Sequence, residues 1–316
     1  MKQPGSRKVT GVILISISAA CFGTLAIFGH YAYADGMDTF TTLFLRFGFA
    51  ALLMGALLAW RREPLPRGKT LLQLIGMGAL GYVGQSFAYL TATKYASPGL
   101  VALLLYLYPT FVAILSAIFL KEHISRLKIL ALLLALTGTA LTVDPRGGEL
   151  PGVLMAISAA TIYSVYILVG TNVMRQVTVV QSSTVIFTAA GAVFGMLTFS
   201  SGPHFPASSF GWAAVAAIVL IATVIPVVTF LAGLERIGPT NAAMLSTLEP
   251  VVTVLMAALL LGETLRLVTL IGGLLILTSV FLLTRGEFQP PASAHSPEPD
   301  LALQSTPVPP QESENP

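Results

Sequence analysis

Between residues 9 and 285 the chain is an almost unbroken succession of apolar runs. Ten of them, at about 9–33, 38–60, 70–93, 98–120, 125–143, 149–171, 178–200, 210–234, 239–261 and 265–285, are long enough to cross a bilayer. A crossing takes about 20 apolar residues. In lipid every backbone N–H and C=O must be satisfied within the segment, so each run is predicted to be a helix. The breaks are short and hold the charges, prolines and glycines that punctuate helices. Only 10% of residues are charged, against about 25% in a soluble domain. Lipid is therefore the solvent for most of this chain, and the fold class is an all-α membrane protein.

One motif occurs twice. Tyr95–Glu122 and Arg236–Glu263 place Pro98, Pro109 and Glu122 against Pro239, Pro250 and Glu263, every pair 141 residues apart. Proline is so selective inside helices that this register points to duplication. Gly11-Val12 matches Gly152-Val153 at the same offset, and Ile17–Ala20 matches Ile157–Ala160 after a one-residue slip.

The loop charges set an orientation. With the N-terminus cytoplasmic, thirteen Lys and Arg fall on the cytoplasmic side, while Lys94, Arg146 and Arg266 fall outside and Arg46 lies within a helix. That bias predicts both termini in the cytoplasm. Five helices per half is an odd number, so the second half enters from the opposite side. The expectation is ten transmembrane helices as two inverted five-helix repeats around a central cavity, residues 1–143 and 149–285. Such halves can expose a shared site to each side in turn. Residues 286–316 are rich in Pro, Ser and Glu and lack Lys and Arg, which predicts a disordered cytoplasmic tail.

Several classes of function are unsupported. A single cysteine, Cys21, excludes a disulfide framework and a multi-Cys metal site. The stretch before Cys21 faintly resembles a lipoprotein cleavage box, but the apolar run continues to about Tyr33, as a retained helix would. Arg67-Gly68-Lys69-Thr70 imitates the end of a P-loop, yet Glu63 stands where the first glycine belongs. No nucleophile, base and acid set occurs. The chain is therefore read as neither an enzyme nor a nucleic-acid binder, with no cofactor and no metal.

The chain resembles the drug/metabolite transporter superfamily, in particular its EamA-type ten-helix members. The resemblance is carried by Leu45-Arg46-Phe47, Tyr95–Pro98, Tyr108-Pro109-Thr110-Phe111 and Lys121-Glu122. Leu248-Glu249-Pro250-Val251 and Leu261-Gly262-Glu263 carry it in the second half. It covers about residues 1–285. It implies a helical basket in the bacterial inner membrane and secondary transport, in many members export.

Glu249 leads the candidate site residues. It stands about ten residues into its helix, ~15 Å deep, where a carboxylate must be paired or face water. It would bind a substrate ammonium or carry a proton, or else form a structural ion pair. Ser246 shares its face. Arg46 would meet a substrate carboxylate, pair with Glu249, or tie helices together. Tyr82, Gln85 and Tyr89 share one face of the third helix, and Tyr163 and Tyr166 lie on the sixth. Tyr106 is the large residue on an otherwise small-residue face, and Tyr108 occupies the position matching Glu249 in the first half. Glu122, Glu263 and the Gly191/Gly195 pair are read as structural.

The expected function is secondary transport of a small organic metabolite such as an amino acid, by alternating access, with export the favoured direction and protons as candidate coupling ions. The protein would act in the lipid bilayer as a monomer or weak dimer. A proton-coupled importer is the alternative, and a membrane-embedded enzyme or receptor the alternative of another class.

Overall fold

The computed structural model describes residues 4–96, 98–142, 148–262 and 264–288. Asp144, Arg146, Glu263 and the predicted tail beyond residue 288 lie outside the described residues. Among those described, the chain is helical and forms no strand. In chain order the helical stretches are α1 (Pro4–Gly23 and Leu25–Ala34), α2 (Thr39–Trp60), α3 (Gly68–Gly76, Met77–Tyr82 and Val83–Ala92) and α4 (Pro98–Leu105 and Tyr108–Phe119). They continue as α5 (Arg126–Thr142), α6 (Leu150–Val173), α7 (Val179–Ser201) and α8 (Ser209–Val219, Leu220–Val224 and Ile225–Ile237). Last come α9 (Pro239–Leu245, Ser246–Leu248 and Glu249–Leu261) and α10 (Leu267–Phe288).

Eight of these, all but α3 and α5, are long and apolar enough to cross a membrane. Helix α5 has 17 residues, and α3 carries Gln73, Gln85 and glycines at 76, 78, 81 and 84. Large apolar side chains cover the exterior: Leu52, Leu80, Phe199 and Leu274 are exposed, and Leu259 is 77% exposed. An apolar coat of this kind is stable in lipid, where it costs no hydration. The chain is a multi-pass membrane protein.

Local sequence explains where helices start and where they deform. Asp38 caps α2 by accepting from Thr41 N–H at 2.9 Å, Thr178 and Gln181 form a capping box on α7, and Ser208 caps α8. Proline explains most interruptions. Pro226, Pro109 and Pro250 each deprive the carbonyl four residues earlier of its donor. The chain widens into a π turn at Leu220–Val224, breaks at Tyr106-Leu107 and tightens into a 3₁₀ turn at Ser246–Leu248. The last two disruptions coincide at the 141-residue offset. The π turn of α3 at Met77–Tyr82 is matched closely by that of α8.

The most extensive packing joins α2 to α7, α5 to α10, α1 to α8 and α3 to α6. Under the 141-residue offset the first two pairs map onto themselves and the last two onto each other. Glycine makes the approaches close. A Cβ on Gly138 would stand 2.6 Å from the Gly272 carbonyl oxygen, and one on Gly272 equally close to the Gly138 oxygen. Gly191 lies against the Gly48 backbone and Gly195 against the Phe44 ring, so the GxxxG pair of α7 packs onto α2.

Candidate functional site: tyrosines around a lone carboxylate

Glu249 opens the second half of α9, directly after the 3₁₀ turn. Protein surrounds it on all sides, yet part of its surface is accessible. Its carboxylate makes no hydrogen bond or ion pair among the described residues. A carboxylate at this depth with no protein partner is tolerable only where it faces a water-accessible space. Backbone contacts hold it in place. Gly23 of α1 has no side chain, which lets the Glu249 carbonyl approach so closely that a Cβ there would sit 2.8 Å from it. Thr253 Oγ1, one turn on, donates to the Gly23 carbonyl at 2.9 Å.

Facing Glu249 is a continuous aromatic chain drawn from three helices of the first half, α2, α3 and α4, and from α6. Phe47 of α2 meets Tyr82 edge to face at 5.2 Å, and Tyr82 meets Tyr166 of α6 at 5.2 Å. Tyr166 stacks on Tyr163 at 6.0 Å, Tyr163 meets Tyr108 of α4 at 4.8 Å, and Tyr108 lies 6.5 Å from Tyr106. Such ring pairs add about 0.5–1.5 kcal/mol beyond their buried area. Tyr82, Tyr106, Tyr108 and Tyr163 are all within Coulomb range of Glu249. Tyr108 and Tyr166 are buried behind the wall, whereas Tyr82, Tyr106 and Tyr163 are partly accessible. The Tyr108 hydroxyl donates to the Ala243 carbonyl at 3.4 Å and lies beside Ser246, which is buried and donates to Ala242. The Tyr166 hydroxyl, beside that of Tyr82, has no hydrogen-bond partner at good geometry among the described residues.

Gln85 and Tyr89 continue the Tyr82 face of α3 and are partly accessible. The Gln85 amide has a single weak neighbour, Ser86 Oγ at 3.5 Å. Tyr89 packs on Ala92, Ala96, Val101 and Ala156 and lies within Coulomb range of Glu249 and Tyr33.

Arg46 is buried, and its bonds run to α8 rather than to Glu249. Its Nε donates to Thr223 Oγ1 at 2.7 Å and its Nη2 to the Ala222 carbonyl at 3.4 Å. That carbonyl is the one Pro226 deprives of a helical donor. An ion pair with Glu249, one of the alternatives, does not form, although each charge feels the other. The helix-tying alternative describes Arg46 in this structure.

Sequence reading missed Thr223, Phe47, Ser164 and Tyr33. Thr223 had a signal, since the 141-residue offset pairs it with Tyr82 and both sit in π turns. Ser164 had one too: its mate is Gly23, and it donates to the Tyr108 carbonyl as Thr253 donates to that of Gly23.

The comparisons with known proteins follow the same halves. The EamA-like transporter family model matches twice, over residues 9–144 and 150–285. The chain belongs to the EamA-like transporter family. An uncharacterized transporter, YcbK of Bacillus subtilis, is 28% identical over 83% of this chain and 88% of its own length. The aromatic amino acid exporter YddG of Ancylobacter novellus is 28% identical over 66% of this chain and 71% of its own. One solved crystal structure superposes with a TM-score of 0.77 at 21% identity, covering 89% of this chain and 99% of its own. It shares the fold. In this EamA-like transporter, polar and aromatic side chains from helices of both matched halves are brought together around Glu249.

Proposed function

We propose that all ten helical stretches cross the inner membrane as two inverted five-helix repeats, residues 1–143 and 149–285, with both termini cytoplasmic. The protein exports a small organic metabolite, such as an amino acid, by alternating access. The observation that carries this is Glu249: a carboxylate deep in the helices, accessible, without a protein partner, and faced by Tyr82, Tyr106 and Tyr163. A carboxylate beside aromatic faces suits an ammonium group joined to an apolar body. Gln85 and Tyr89 extend the binding wall, while Tyr108, Tyr166 and Ser246 support it from behind. Arg46 holds α2 to the π turn of α8 and supplies positive potential to the cavity. Protonation of Glu249 couples substrate release to a proton. The exchange of helix pairs under the 141-residue offset supports the rocking of two like halves. The relative named as an aromatic amino acid exporter supports the substrate class.

The test is transport in sealed liposomes holding the purified protein. Radiolabelled aromatic and aliphatic amino acids should cross faster than in empty liposomes, and Glu249→Gln should lower the rate about tenfold, the equivalent of one charged contact of ~1.4 kcal/mol. If no amino acid crosses, the substrate assignment fails. Transport unchanged in Glu249→Gln removes Glu249 from the site.

A further inference from the structure

A basic cleft lies at the helix ends, apart from the tyrosine wall. The ends of α1, α6 and α8 border an open cleft of about 520 Å³ lined by Arg7, Lys8, Arg175, Glu235 and Arg236. Four basic side chains surround one carboxylate, and that carboxylate is spent: Arg7 Nη2 lies 3.1 Å from one Glu235 oxygen and Arg236 Nη1 3.8 Å from the other. The Arg236 guanidinium also donates to the Ala232 carbonyl. Arg175, exposed just beyond the last turn of α6, has no hydrogen bond or ion pair from its side chain among the described residues. The cleft is therefore a concave site with excess positive charge, large enough for a small anion such as a phosphodiester.

Its position selects the source of that anion. On α1 the residue after Lys8 is Val9, and Val9, Ile13 and Ile17 are exposed at four-residue spacing. They form a straight apolar line descending from the cleft along the outer face of the helix. Behind it, α1 packs on α8 with Gly11 against Ile237 and Gly233 against Ile15, which leaves little side-chain bulk between the two backbones. A soluble anion would use only the basic cleft. A phospholipid would use both features, its phosphate in the cleft and an acyl chain along the line.

We propose that this cleft binds the headgroup phosphate of an anionic phospholipid, with Val9, Ile13 and Ile17 receiving an acyl chain. The site rests on these helices spanning the membrane and not on the transport cavity. Basic clefts between membrane helices attract such headgroups through several charges acting together. Arg7 and Arg236 are held by Glu235 and shape the site; Arg175 supplies the contact that reaches the lipid, and Lys8 adds to the positive field of the cleft.

The full chain in detergent, titrated with dioleoyl phosphatidylglycerol or dioleoyl phosphatidylcholine and followed by native mass spectrometry, tests this. Phosphatidylglycerol should be retained in about tenfold excess. Arg175→Gln should cut that excess several-fold, Arg175→Lys should keep most of it, and Lys8→Gln with Arg175→Gln should abolish it. Glu249→Gln should leave it unchanged, which separates this site from the transport site. Equal retention of the two lipids by the unaltered chain overturns the proposal, and so does an undiminished excess in the double variant. Loss of the excess at millimolar inorganic phosphate would assign the cleft to a soluble anion instead.

Discussion

Arg46 and Thr223 are joined across 177 residues by a 2.7 Å hydrogen bond from Nε to Oγ1. The bond exists because Pro226 opens α8. The widened turn presents both a side-chain and a carbonyl acceptor, and Thr223 itself donates to the Ile218 carbonyl at 2.7 Å. Thr223→Val should therefore destabilise the protein by about 1.5–3 kcal/mol, the range for hydrogen bonds to charged groups. Arg46→Lys should not restore the loss, because an ammonium cannot reach both acceptors as a planar fork does. Thermal unfolding in detergent measures both.

The adjacent glycines of α10 give a sharper contrast. A Cβ on Gly272 would meet the Gly138 carbonyl oxygen at 2.6 Å, whereas one on Gly273 meets nothing within 4 Å. Gly272→Ala should push α10 off α5 and cost about 1–3 kcal/mol. Gly273→Ala should be neutral or stabilise by about 0.5–1 kcal/mol, since alanine is the better helix former. Equal melting temperatures for the two variants would contradict the close pairing.

Tyr163 links the two ends of the aromatic chain, with Tyr166 on one side and Tyr108 on the other. Tyr163→Phe keeps the rings in place, and Tyr163→Leu removes an edge-to-face pair. Transport assays should show a KM close to that of the unaltered protein for Phe and raised about threefold to tenfold for Leu, matching ~0.5–1.5 kcal/mol of ring pairing.

At the opposite ends of α1 and α8 from the basic cleft, two carboxylates latch the α1–α2 loop to the α7–α8 loop. Asp35 accepts from the Ser208 hydroxyl at 2.6 Å and its N–H at 3.1 Å, and these bonds hold its pKa below the ordinary value. Partial burial pushes the Asp38 carboxyl up, but bonds from the Thr41 N–H and hydroxyl, with His204 Nδ1 3.0 Å away, outweigh it and leave the pKa lowered. A carboxyl lowered in the folded state adds stability that is fully present above its unfolded pKa and lost as pH falls through the folded value. The melting temperature should therefore be flat from neutral pH to about 5 and drop below about 4. Asp35→Asn with Asp38→Asn should flatten that acid limb.

Glu122 follows the last turn of α4. Its carboxylate accepts from Thr240 Oγ1 at 2.7 Å and pairs with Lys128 Nζ at 3.0 Å, so the start of α9 is tied to the α4–α5 turn. The structural role read for Glu122 in the sequence matches this contact. Glu122→Ala and Thr240→Val should each lower the melting temperature, and the double variant should lose less than the sum of the two; additive losses would mean that the tie does not hold the two elements together.

The sequence alone determined the solvent and the scaffold. Long apolar runs dictate helices in lipid, and the matching prolines that mark the repeat turn out to stand where α4 and α9 break, because a missing N–H acts locally wherever the helix lies. Local reasoning also placed the tyrosines on their helix faces. What it could not supply was which faces meet. Arg46 and Glu249 are two charges in an apolar setting, and the sequence leaves their pairing as one of several alternatives; the tertiary structure gives Arg46 to Thr223 and Ala222 and leaves Glu249 partly accessible, without a bonded partner among the described residues. The chain of rings from Phe47 to Tyr106 and the joint of Gly23 with Glu249 were likewise decided only by packing. Helix periodicity fixes the direction of a side chain about its own axis. Its partner depends on the rotation and depth of another helix, and those are set by glycine contacts and proline-widened turns many residues away.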